Sequence, residues 1–229
     1  METATEQKVV VLRLGDSREA LPATAGAAAL VFLDKNDLPD RTPQLDGSRI
    51  LLPDDPENEF IALQGGTQFV FLSWSPGTLF YFGGTDESPF LVEIEYWLSV
   101  TLLEKGEAAF YARLKPELIT MLEELLGVQA RRQGDIWAMP LPITLEKVNE
   151  LFDHLDDMGG TIETAAAGEE YPLLGTSHSL VGRWLVPDIP PSIANYEIVE
   201  GTITAEGHAP LVLDCPHIIM RSRGLVSAD

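Results

Sequence analysis

Three histidines in the C-terminal half, His178, His208 and His217, are the residues best suited to chemistry. Imidazole titrates near neutrality, so each could give or take a proton at physiological pH. Three neutral imidazoles disposed on one side could also hold a divalent metal. Each follows a turn-type context: Gly175-Thr176-Ser177, Glu206-Gly207 and Cys215-Pro216. No two are spaced as a helical i, i+4 pair or as an alternating strand pair. The fold must therefore assemble any site, and the competing reading is a scatter of structural histidines. The fourth histidine, His154, falls off the apolar face of a helix pattern and reads as solvated.

Arginine supplies the second half of the pattern. After position 160 the only Lys or Arg residues are Arg183, Arg221 and Arg223. With Arg131, upstream of the histidines, Arg183 and Arg223 are candidates to clamp a phosphate or carboxylate, because guanidinium binds such anions through two parallel hydrogen bonds. His178, His208 and His217 would then be acid–base groups or metal ligands. The alternative is that these arginines pair with the chain's own plentiful carboxylates. Ser177 adjoins His178, but neighbours on a strand face opposite ways, so it is a poor nucleophile. No Gly-x-Ser-x-Gly, phosphate-loop or dinucleotide pattern occurs.

The elements that must position these groups are mostly strands. Lys8–Leu14, with Val9, Val10 and Val11 β-branched, Leu30–Leu33, Arg49–Leu52, Phe60–Leu63, Gln68–Ser73, Thr78–Phe82 and Pro89–Tyr96 read as strands, and several are separated by Gly, Pro or Asp turns. From Phe60 to Tyr96, turn signals about 8–12 residues apart suit a sandwich or barrel. Residues 34–47 read as a long loop and Gly160–Tyr171 as another. Leu180–Val186, Tyr196–Thr204, Leu211–Leu213 and Ile218–Arg223 read as closing strands.

Two or three helices are expected in the 104–158 region. Gly106–Leu114 is one. Pro116 opens the next, with Leu118, Ile119, Leu122, Leu125 and Leu126 as its apolar face and Gly127 as its stop. Thr144–Met158 is the clearest, capped by Thr144, stapled by Ile143 on Val148, and apolar along Leu145, Val148, Leu151, Phe152, Leu155 and Met158. The expected fold class is α+β, strand-rich and mostly antiparallel. A β-rich part would cover 1–115 and an α+β part 116–229, with one continuous domain as the alternative.

Gly134 and Asp135 form a structural turn after the basic pair Arg131-Arg132, and Ile136–Met139 is a strand that stops at Pro140. Over these seven residues the chain resembles the glycine-to-proline spacing of the second half-motif of cupins, which implies a β-barrel. The histidine that a cupin places a few residues later is replaced by Ile143-Thr144-Leu145, and the first half-motif is absent.

Charge narrows function further. With 36 Asp and Glu against 15 Lys and Arg, the net charge is -21. Such a surface repels phosphate backbones and anionic membranes, which disfavours general nucleic-acid binding. It favours a basic protein partner, and mimicry of a nucleic acid is a special case of that. A single cysteine, Cys215, allows no internal disulfide and no Cys-based zinc motif. The acidic start and the lack of a long apolar run predict a soluble cytoplasmic protein with no membrane contact. Two functions remain: an acidic accessory protein that binds a basic partner, or a histidine-dependent hydrolase or lyase acting on a phosphate ester or other anion.

Overall fold

The computed structural model describes residues 9–74, 78–154, 160–187, 195–205 and 208–226. The chain divides into two compact units, Met1–Leu114 with Gly224–Asp229, and Lys115–Arg223.

The first unit holds β1 (Val11–Arg13), α1 (Leu14–Ser17), β2 (Thr24–Ala25), β3 (Ala28–Asp34), β4 (Gln44–Asp46), β5 (Arg49–Asp54), β6 (Glu59–Leu63), β7 (Gln68–Ser73), β8 (Leu79–Thr85), β9 (Pro89–Glu93), α2 (Tyr96–Lys105) and α3 (Glu107–Leu114). Antiparallel pairing gives one sheet in the order β1-β6-β7-β8-β9. A second, β2-β3-β5-β4, contains a parallel pair, β3 with β5. Alternation along β7 explains the layering. Phe69 and Phe71 point to the second sheet and meet Leu30, Ile50 and Leu52, while Val70 and Leu72 point the other way, to Leu98, Leu102 and Phe110 of α2 and α3. The central sheet is thus covered on both faces, which is why β7 is buried throughout. The tail returns to this unit: Leu225 bridges Ile94, and Val226 N–H donates to Glu93 O at 2.9 Å.

The second unit holds α4 (Glu117–Leu126), β10 (Arg131–Gln133), β11 (Ile136–Pro140), α5 (Leu145–His154), β12 (Gly160–Thr164), β13 (Tyr171–Pro172), β14 (Ser179–Pro187), β15 (Tyr196–Thr204) and β16 (Leu211–Arg221). Its antiparallel sheet runs β10-β11-β16-β15-β14-β12, with β13 on β14. One face carries Ile136, Ala138, Leu180, Trp184, Val199, Ile203 and Ile219, covered by Leu173 and by Tyr171, whose ring stacks on Trp184 at 4.3 Å. The other face meets α5 through Leu145 and Val148 against Leu185 and Ile198.

The architecture is strand-rich, mostly antiparallel and α+β, with five α-helices among the described residues rather than two or three. Two helices, α1 and α2, lie outside the expected region or begin before it. Tyr96 starts α2 instead of ending a strand. The Gly134–Pro140 stretch is a hairpin turn and β11 of a sheet whose path, among the described residues, ends at β10 and β12 and so is open where a barrel is closed.

Packing corrects two helix faces. Leu151 is 43% exposed and Ile143 is exposed. The inward line of α5 is Leu145 and Val148, both buried, with Phe152 partly buried, and Leu151 projects to one side of it. On α4 only Ile119 is buried, and Leu125 is 78% exposed. The caps behave as expected: Thr144 Oγ1 accepts from Lys147 N at 3.2 Å, and Gly127, at φ 66°, donates to Glu123 O at 2.9 Å. Leu155 and Met158 lie outside the described residues.

Candidate functional site

The site grows from the β10–β11 hairpin. Gln133 pairs with Ile136, so Gly134 and Asp135 are its two-residue turn. Gly134 adopts φ 56°, the left-handed region that glycine enters without strain. It also leaves space. A Cβ there would lie 3.1 Å from His208 Nε2 and 3.3 Å from His178 Cε1. The two imidazoles therefore reach over the turn. Their rings stack with centroids 5.8 Å apart and planes inclined by 23°.

Asp135 ties this pair to the last strand. Its Oδ1 lies 3.4 Å from His178 Nδ1, its Oδ2 accepts from Arg221 Nε at 3.0 Å, and its carbonyl accepts from Ser222 N at 2.6 Å. The Thr176 hydroxyl meets the ring of His178: it lies 2.9 Å from Leu173 O, accepts from His178 N at 3.1 Å and is 3.1 Å from Nδ1. With Asp135 Oδ1 also near Nδ1, these oxygens favour a hydrogen there. Nε2 is buried with no hydrogen-bond partner. His178 is 2% exposed. Burial pushes its pKa below the usual value, against the field of Asp135 and with that of His208. Burial thus favours its neutral form.

His217 belongs to a different group. It does not open a strand but sits inside β16, paired with Pro140 on one side and Val199 on the other. Its Nδ1 donates to Cys215 O at 2.7 Å, and its Nε2 lies 3.4 Å from Arg131 Nη2. Burial and then the Arg131 charge hold its pKa down. Cys215 lies beside it, and burial and Asp214 push the thiol up, which disfavours the thiolate. The expected trio is thus a pair and a single. Among the described residues no three His, Cys, Asp or Glu are placed to hold one metal ion.

The expected anion clamps are engaged by protein groups. Arg183 pairs with Glu146 and, at 2.6 Å, with Glu200. Arg223 donates to Glu117 at 2.7 Å, and Arg131 to Val212 O at 2.6 Å. The arginine tied to the imidazole pair is Arg221, through Asp135. Two residues were not singled out as site residues from the sequence, Arg221 and Glu197. Glu197 lies on β15 in the row of Val199 and Ile203, an acid in an apolar line, and that alternation is a signal the sequence does carry. Its Oε1 accepts from Leu174 N at 3.0 Å, and its Oε2 is buried without a partner. Burial pushes its carboxyl above the usual range.

Glu197 and Arg221 line a cavity of about 860 Å³ at the end of the sheet where β14 and β16 finish and β15 begins. Comparison with known proteins adds no relative: no family model matches the chain, and no curated protein or solved structure matches it. Among the described residues no helix is long and apolar enough to cross a membrane.

Proposed function

We propose that the protein is an acidic accessory or interaction protein that binds a basic protein partner, in the cytoplasm. The observation that carries this reading is how its charge is distributed. Most of the 15 Lys and Arg are held by the chain's own carboxylates, in both units. The surplus acids are left in water, among them Asp34, Asp37 and Asp40 in the first unit and Glu163, Glu169 and Glu170 in the second. Exposed unpaired carboxylates steer a basic surface and add little to stability. The test is direct titration with a labelled Lys/Arg-rich peptide and an acidic peptide of equal length. The basic peptide binds saturably at low salt and the acidic one does not; equal binding of both contradicts the reading.

A second reading is favoured by the Asp135–His178–His208 set: a histidine-dependent hydrolase or lyase acting on a phosphate ester or other anion. A buried imidazole with an unpartnered Nε2 beside a second imidazole is a general base in form. It ranks second because His178 is shut away from solvent. Release of p-nitrophenol from its phosphate ester, lost in His208→Ala, would move it to first place; no release by the intact protein removes it.

A further inference from the structure

We propose that the cavity at the end of the second unit's sheet binds an organic cation, an ammonium or guanidinium group carried on a slender apolar stem. Its volume, about 860 Å³, is in the range of ligand sites rather than of packing voids. Phe152, Tyr171 and Tyr196 line it, and aromatic side chains attract cations. The polar groups decide the sign of the ligand's charge. Arg221 and Arg223 line the cavity, but Asp135 and Glu117 already hold them. Glu197 is the lining acid whose charge no ion pair among the described residues balances: Oε1 takes the Leu174 N–H, and Oε2 is sealed from solvent with no partner. A turn of the carboxyl would bring Oε2 to the cavity, where a ligand bearing an N–H cation supplies a donor and the opposite charge.

The inference rests on the proposed function only for the source of the cation, which is a Lys or Arg side chain of the basic partner or a free amine. Both sources present the same chemistry. The cavity reads one cationic group where the acidic surface reads many, so it would give register to an association that charge alone leaves loose.

The test is calorimetric titration with n-butylammonium, with n-butanol and n-butyrate as neutral and anionic controls of equal length. Butylammonium should bind more tightly than either control, and Glu197→Gln should weaken it about tenfold or more without changing butanol binding. The glutamine keeps an acceptor for Leu174 N–H, so the fold has little reason to change. If that variant does not fold, Phe152→Leu provides the second test and should weaken butylammonium more than butanol. A capped lysine peptide that binds more tightly than butylammonium identifies a partner side chain as the source; a free amine that binds as tightly identifies a small ligand. Butyrate as the best binder, butylammonium no better than butanol, or a Glu197→Gln variant of unchanged affinity each overturns the inference. Glu197→Gln alters the net charge by one, so salt-sensitive binding of a Lys/Arg-rich peptide persists in it. Salt-sensitive binding of that peptide by the intact protein, with butylammonium no better than butanol, would remove the cavity inference alone.

Discussion

Asp135 holds Arg221 through one carboxylate oxygen, at 3.0 Å from Nε, and faces His178 Nδ1 with the other at 3.4 Å. A turn residue thereby joins the end of the last strand to a buried imidazole. Because the Asp135 field raises the His178 pKa against burial, Asp135→Asn should lower that pKa further. An NMR titration of the His178 ring proton checks this. An unchanged or raised midpoint would mean that the 3.4 Å approach has no electrostatic consequence.

The two buried imidazoles also set a pH dependence. His178 and His217 both have folded pKa values below the reference 6.5. The unfolded chain therefore takes up protons first as pH falls, and stability present above about pH 6.5 is lost as pH drops through the folded values. Asp55 and Glu123 are depressed as well: Lys35 holds Asp55 down, and Lys115 and the Ala130 N–H hold Glu123 down against burial. Their loss falls lower, below the carboxylate range. Thermal melts should show two separate declines with acid, and His178→Gln with His217→Gln should flatten the upper one. A single decline confined to carboxylate pH would contradict it.

Helix α5 gives a packing test that separates two leucines. Leu145 is fully buried, so Leu145→Ala should cost about 2–5 kcal/mol. Leu151, 43% exposed, should cost much less, about 0.5 kcal/mol if it behaves as a surface site. Denaturant midpoints of the two variants measure the difference. Equal midpoints would place the buried face elsewhere.

These cases show what the sequence carries. Gln68–Ser73 and Tyr196–Thr204 are strands with the bounds their apolar runs suggest, because each run is flanked by turn residues. Gly83 and Gly84 mislead. They read as punctuation but lie inside β8, where Gly84 packs so close to β7 that a Cβ would come within 2.4 Å of Thr67 O. Cys215-Pro216 reads as a break between two strands, yet β16 runs through it. The register shift between Val199 and Gly201 accommodates it, because a bulge tolerates proline. Helix α2 begins with aromatic and β-branched residues that suit a strand, and burial of Leu98 and Leu102 against the sheet overrides that preference. Arg131–Gln133 and Gly160–Thr164, read as turn and loop, are the outer strands of the sheet's path, where one side of pairing suffices and apolar signal is weak.

The site was legible in residue type rather than in assembly. Turn contexts placed His178 and His208 ahead of strands, but sequence spacing does not say that both reach over Gly134. It also does not show that Arg221, rather than Arg183 or Arg131, is tied to them through Asp135.

The most direct measurement is the affinity of a labelled Lys/Arg-rich peptide across salt. Between about 0.1 M and about 1 M the Debye length contracts from about 10 Å to about 3 Å, so an association steered by surplus carboxylates should weaken by about tenfold or more. Neutralising exposed acids such as Glu163, Glu169 and Glu170 to Gln should reduce both the low-salt affinity and the salt slope. Binding that ignores salt, or no binding of the basic peptide at low salt, would contradict the account.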